Sequence, residues 1–303
     1  MNKIQFFMKT LFLIIGLIPF SLLAQPQQFY IDRLHSSVNF SMKYIEIMEF
    51  NGRADDYYGE FLYDSSRLDL SGIYCLVNAQ SLNTAMKNRD LDLHSPEYMD
   101  SEKFPVIVFK SEKITKHNGQ LLAKGLLTMK GKTVRVDLPF SIVGQRADAR
   151  ALMVVKIGPI TINRSLFGIG TVEKNSAGNI FLGDKIRIWG DVLLKAIGSD
   201  EKKLRSSFEV TDLEPGNYAG TYVTDKGTAW TVSELDNKLF IILKSAAVFY
   251  RLSPIGDDTF IVNDVGSLMK FQRDATGNIS GLINRFDESE DKQLNMKKST
   301  EEY

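Results

Sequence analysis

The chain has 303 residues and equal numbers, 37 each, of basic (Lys, Arg) and acidic (Asp, Glu) side chains. That balance offers no clustered positive charge, so no nucleic acid is expected as a partner. A hydrophobic content of 44% supports packed cores and excludes a disordered chain.

At the N-terminus, Lys3 and Lys9 precede the apolar run Leu11–Phe20, and Ser21-Leu22-Leu23-Ala24 ends on a small residue before Gln25. Basic, then apolar, then small is the order of a secretory signal peptide, expected here over residues 1–24. An uncleaved anchor is the alternative, although the run is short for a membrane span and nothing later approaches the needed length. Gln25, not Cys, follows the cut, so no lipid anchor is indicated. The mature protein is then expected to be periplasmic or secreted, working without cytosolic ATP or NADPH.

Residues 25–198 read as a first β-domain. Val38, Phe40, Met42 and Tyr44 alternate with Asn39, Ser41 and Lys43, the two-residue period of a half-buried strand. Further strands are expected at Tyr57–Tyr63, Ser71–Ala79, Val106–Ile114, Leu121–Met129, Thr133–Val143, Ala151–Ile162 and Lys185–Ala196. Turn signals such as Asp64-Ser65-Ser66, His117-Asn118-Gly119 and Lys130-Gly131-Lys132 separate them. Strands in sequence with hairpin-length links predict a mainly β fold, an antiparallel barrel or sandwich.

Between Asn83 and Phe104 the alternation lapses, and one or two short helices are expected to cross an end of the barrel. Ser95-Pro96-Glu97 carries a helix-start signal, with Ser as cap and Pro at the first helical position. Such a crossing is placed to gate a cavity.

A polar stretch over residues 199–207 is read as a linker, and residues 208–303 as a second, small all-β domain. Turn signals recur there at Pro215-Gly216, Asp225-Lys226-Gly227, Asp236-Asn237 and Thr276-Gly277-Asn278, between runs such as Leu239–Leu243 and Phe260–Val262. The charged end, Asp287–Tyr303, is expected to fray.

Enzyme and cofactor motifs fail on inspection, and neither a metal nor a cofactor is expected. Cys75 is the single cysteine, set in an apolar strand, and reads as a buried inert thiol. His35, His94 and His117 lack the spacing of a zinc site. Gly131-Lys132-Thr133 imitates a phosphate-binding loop, but Leu126 stands where a glycine is required. Ser199-Asp200-Glu201-Lys202 fits Ser-x-x-Lys without a Lys-Thr-Gly partner.

Several pieces appear in the order of one family. They are Tyr30-Ile31-Asp32, His35-Ser36-Ser37-Val38-Asn39-Phe40, Ser81-Leu82-Asn83-Thr84 and Asn88-Arg89-Asp90. Tyr98-Met99-Asp100, Phe104 to Ser111, Gly125 to Gly131 and Ile162 to Ile169 follow. From about Phe29 to Ile197 the chain resembles the YceI-like, polyisoprenoid-binding family. The resemblance implies a lipocalin-like β-barrel whose elongated apolar cavity holds a long isoprenoid or similar amphiphile. Many relatives carry a second histidine at the end of the first strand, where this chain has Tyr44, so a role needing that imidazole is in doubt. The second domain more weakly resembles the small β module that follows the catalytic domain of some secreted serine hydrolases. That likeness, carried by Pro215 to Tyr222 and Phe271 to Gly277, implies a fold and no activity.

Candidate inward-facing residues are Val38, Phe40, Met42, Phe61, Cys75, Val77, Ile107, Phe109, Phe140 and Phe167. Periodicity does not separate a hollow barrel from a filled one, and plain core packing is the alternative for each. His35, Arg89 and Arg164 are candidates to hold a polar head group, since Arg matches phosphate geometry. The alternatives are an Arg89–Asp90 ion pair fixing the crossing segment and a turn ordered by Asn163-Arg164. The expected function is a non-enzymatic carrier of an isoprenoid lipid, a quinone or polyprenyl phosphate. An envelope interaction module, with a protein partner on the second domain, is one alternative. An enzyme acting on a prenyl or quinone substrate, with His35 as acid or base, is the other. Fold analogy adds a homodimer to the expected partners.

Overall fold

The structure is a computed structural model, and it describes residues 26–146, 151–172, 178, 180–196, 214–243, 248–256, 258–262, 265, 267–285 and 293–300. The expected signal peptide (1–24) and linker (199–207) lie outside the described residues. No helix among the described residues is long and apolar enough to cross a membrane.

The first half is an antiparallel barrel in which three of the strands are broken. β1 (Gln27–Ile31) and β2 (Ser37–Tyr44) pair with successive parts of β11 (Leu182–Ala196), with Phe29 opposite Ala196 and Val38 opposite Gly190. They are two halves of one bent strand. β3 (Met48–Ala54) and β4 (Tyr57–Tyr63) form the second broken strand, β5 (Gly72–Asn78) and β6 (Leu82–Asn83) the third. Long unbroken strands β7 (Val106–His117), β8 (Gln120–Met129), β9 (Lys132–Arg146) and β10 (Leu152–Asn163) lead back to β11, which closes the ring on β1. Counting each broken strand once, the barrel has eight strands.

Polar side chains tie the three breaks together. The Asp32 carboxylate accepts from the Leu34 N–H (3.2 Å), starting a 3-10 turn at Arg33–His35. Arg33 pairs with Asp56 at the second break, and Asn78 Nδ2 donates to Asp56 Oδ2 (3.1 Å) from the third. Ser81 Oγ accepts from the Asp56 N–H (3.0 Å) and donates to the Asn78 carbonyl (2.7 Å). Each break leaves backbone groups without ladder partners, and these side chains satisfy them inside the wall. The strand pieces that carry the family resemblance around Asp32, Ser36 and Ser81 therefore serve this seam.

Seven expected strands match β4, β5 and β7–β11 closely, and the alternating run matches β2. β3 has no counterpart among the expected strands. The Ser95-Pro96-Glu97 signal ends a helix instead of starting one: α1 (Lys87–His94) stops at Ser95, whose ψ of 161° is the extended geometry a following proline imposes.

The second half is an eight-stranded meander. Its strands are β12 (Gly220–Val223), β13 (Ala229–Leu235), β14 (Lys238–Leu243), β15 (Val248–Gly256), β16 (Thr259–Val262), β17 (Leu268–Arg273), β18 (Ile279–Arg285) and β19 (Gln293–Lys298). β19 pairs with both β18 and β12, so part of the segment expected to fray closes this barrel. Alternation explains why: Met296 is buried while its neighbours face outward. Its interior is built around aromatic rings. Tyr218, Tyr222, Phe260 and Phe271 pack edge to face at 4.9–5.6 Å.

One face of β14 leaves that core and meets the first barrel. Leu239 and Ile241 point into the second barrel, and between them Phe240 is fully buried against Tyr58, Tyr74 and Leu76 on the outer face of β4 and β5. Lys110 Nζ lies 2.6 Å from Asp236, and Lys238 sits 4.4 Å from the centre of the Tyr74 ring. The wall made by β4, β5 and β7 thus carries the second barrel on its outside.

Candidate lipid-binding cavity

The inside of that same wall is hollow over part of its height. Cys75, Val77, Ile107 and Phe109 alternate with the outward residues of β5 and β7 and face a cavity of about 580 Å³. Val38, Phe40 and Met42 line it from β2, and Ile157, Ile160, Ile186 and Ile188 from β10 and β11. The Phe40 ring lies against the wall over its partner Gly52, where a Cβ would come within 2.2 Å of it.

The wall carries little charge. Burial pushes the Cys75 thiol and the Tyr57 phenol each up to about 12, so both remain neutral at physiological pH. Asn39, Thr84, Arg89 and Asp92 are the polar additions, alongside a surface of aliphatic and aromatic carbon. A space of this size and lining suits an apolar ligand with one polar end.

One end of the barrel is plugged. Phe61 and Phe140, expected to line the cavity, instead cross it as an edge-to-face pair with centroids 5.7 Å apart, packed with Phe29 and Met153. Their rings fill space from opposite walls, which alternation within a single strand does not reveal. Phe167 is likewise fully buried core, in a 3-10 turn (Arg164–Phe167) and not on a strand.

The other end opens where the β2–β3 hairpin meets α1. Tyr44 packs edge-on against Phe181 at 4.8 Å, and both line the cavity. Arg89 lies 4.8 Å above the Phe50 ring at the same rim. Its Nε donates to Thr84 Oγ1 (2.7 Å) and its Nη2 to the Thr84 carbonyl (2.8 Å). Asp90 accepts from the Thr84 N–H (2.8 Å) and hydroxyl (2.6 Å). In place of the alternative, an Arg89–Asp90 ion pair, the two side chains share Thr84, which fixes the guanidinium and leaves Nη1 without a hydrogen-bond partner among the described residues.

The other two head-group candidates are elsewhere. Arg164 is fully buried and donates to the carbonyls of Gly183 (2.9 Å), Ile169 (2.5 Å), Thr171 (2.7 Å) and Leu182 (3.0 Å). Two of those carbonyls belong to the segment after the turn and two to β11, so Arg164 ties the turn into the wall, and it does not line the cavity. His35 is exposed outside the cavity, its Nδ1 2.7 Å from Asp32, which also receives Lys195 at 2.6 Å. Both correct the expectation in favour of structural roles.

Alternation on β8, β9 and β11 would have added Leu127, Met129, Val136, Leu138, Ile186 and Ile188 to the lining. Phe50 and Met48 carried no such signal, because their strand was not legible.

A family model described as a YceI-like domain matches residues 29–193. A UPF0312 protein of Vibrio cholerae is 32% identical over 149 residues, covering 46% of this chain and 78% of the relative. Protein YceI of Salmonella newport is 30% identical over 114 residues, covering 38% of this chain and 60% of the relative. Among solved structures, BcnA of Burkholderia cenocepacia has a TM-score of 0.47 at 20% identity, covering 54% of this chain and 98% of that chain. A polyisoprenoid binding domain from Saccharophagus degradans has a TM-score of 0.44 at 13% identity, covering 57% and 99%.

Proposed function

The chain belongs to the YceI-like family, and from that premise we propose that it is an exported, non-enzymatic carrier of a long-chain isoprenoid lipid, a quinone or a polyprenyl phosphate. The observation that carries the reading is the apolar cavity of about 580 Å³, closed by aromatic packing at one end and open beside Arg89 at the other. A prenyl tail would enter first, and its polar end would stay at the mouth within reach of the free Nη1.

The energetics are sufficient. Burying three prenyl units removes about 15 carbons from water at ~0.8 kcal/mol each, about 12 kcal/mol in all. An association cost of about 4 kcal/mol or more leaves binding in the micromolar range. Against an enzyme, His35, the residue that reading needs as acid or base, lies outside the cavity and is held by Asp32.

Filling the cavity tests this directly. Val77 and Ile107 face each other across β5 and β7, so Ile107→Trp would occupy the space without touching the plug. Farnesol binding measured by calorimetry is expected to weaken at least tenfold in this variant, with the folded far-UV spectrum retained. Equal binding in the variant, or none in the unchanged chain, would contradict the carrier reading.

A further inference from the structure

The cavity does not open onto an ordinary polar surface. At the β2–β3 turn the tip residues are Ile45, Glu46 and Ile47, with Ile45 at φ 46° and Glu46 at φ 63°. The left-handed region favours Asn and Gly in a hairpin, and a β-branched residue there is strained. Turn geometry alone therefore does not account for an isoleucine at this position. Ile45, Ile47 and Met48 are 42%, 88% and 60% exposed, and Phe181, Met86 and Leu91 are 56%, 59% and 63% exposed. Scattered exposed apolar residues are ordinary, whereas a group gathered around one opening marks an interaction site.

These residues form one rim. The Ile45 N–H donates to the Phe181 carbonyl at 2.8 Å, and the Arg89–Phe50 contact holds α1, which carries Leu91, to β3. Met48 and Phe181 both line the cavity and reach the surface, so the apolar path from outside to inside is unbroken.

We propose that this rim docks onto the surface of a phospholipid bilayer, with the Ile45–Ile47 tip and the exposed side of α1 entering the interfacial layer. The inference rests on the carrier reading, because a water-insoluble prenyl lipid must be taken from and returned to such a surface. The described parts of this chain leave the rim uncovered. Gln27 and Ala196, from which the N-terminal segment and the link to the second barrel depart, lie together at the plugged end, and the second barrel occupies the β4–β5–β7 side. The charges also fit. Lys43, Lys87 and Lys185, without ion-pair partners among the described residues, are interspersed with Glu46, Glu49 and Asp92. Mixed signs complement a zwitterionic head-group layer, and Tyr44 at the rim is an aromatic of the kind membrane interfaces favour.

The test uses the full chain and sedimentation with phosphatidylcholine vesicles. Ile47→Glu combined with Leu91→Glu is expected to weaken vesicle binding at least tenfold, while Leu34→Glu, equally exposed but away from the mouth, leaves it unchanged. Binding of the unchanged chain is expected to survive high salt, since apolar burial carries it. Farnesol binding in solution separates the two claims. Vesicle binding unaffected by the double variant, with farnesol still bound, overturns the docking proposal alone. Loss of farnesol binding in the unchanged chain overturns the carrier reading and this inference with it. If the double variant instead abolishes self-association in ultracentrifugation and spares vesicle binding, the rim serves a second copy of the chain and the proposal falls.

Discussion

Arg164 and Arg89 differ in what their guanidinium groups have left to give. Arg164 spends its donors on four backbone carbonyls inside the barrel wall. Removing it strands those acceptors, and buried unpaired groups cost about 1–3 kcal/mol each before any repacking. Arg164→Met is therefore expected to lower the unfolding free energy by about 3 kcal/mol or more in urea titration, far beyond an ordinary surface change. Asp258 shows a second residue-scale effect. Its hydrogen bond from Arg273, at 2.6 Å, holds the carboxyl below its ordinary 3.8, with Tyr218 contributing at 2.7 Å. Because the folded-state value is the lower one, the stabilisation is complete above the unfolded value and is lost as pH falls through the folded one. Stability of the second barrel should therefore drop below about pH 4, and Asp258→Asn should flatten that part of the profile in denaturant titrations across pH. The sequence marks both arginines as polar sites but not their difference, since two of the Arg164 acceptors, Leu182 and Gly183, come from β11, which only folding brings beside its turn.

At the scale of elements, the period-two alternation of β2, β4, β5 and β7–β11 was legible because each strand presents one face to an apolar interior. β3 was not. Its Asn51-Gly52 pair reads as a turn, and the real turn, at Ile45–Ile47, carries no turn chemistry. Gly52 has another purpose: it gives the Phe40 ring room to lie against the wall. Gly52→Val would push that ring into the cavity, because the added Cβ meets it at 2.2 Å. Farnesol affinity is expected to fall several-fold while the unfolding midpoint changes little, since the displaced ring moves into empty space. The extent of the hollow was equally hidden. Whether Phe61 and Phe140 line a cavity or fill it depends on their meeting across the barrel, a contact that neither β4 nor β9 encodes alone.

For the whole molecule, the second barrel is a brace on the outside of the cavity wall. Phe240 is its anchor, fully buried between the two barrels. Phe240→Glu would place a charge among the Tyr58, Tyr74 and Leu76 side chains, where the guanidinium over the Phe240 ring, Arg251, already lies 3.9 Å from Glu60. Trp189 lies in the first barrel and Trp230 in the second, so single-tryptophan versions report each separately. Their urea transitions are expected to coincide in the intact pairing and to separate after Phe240→Glu. The sequence showed two β-domains but not their contact, because β14 reads as apolar on both faces without saying which partner each face meets.

The central claim is that the first barrel holds a prenyl lipid in the space above its aromatic floor. Mass spectrometry of an organic extract from protein purified out of its native host tests that claim most directly. The expected extract contains a molecule with a repeating five-carbon tail, close to one per chain, which is lost in Ile107→Trp. An extract without such a lipid, or one unchanged by that substitution, would contradict it.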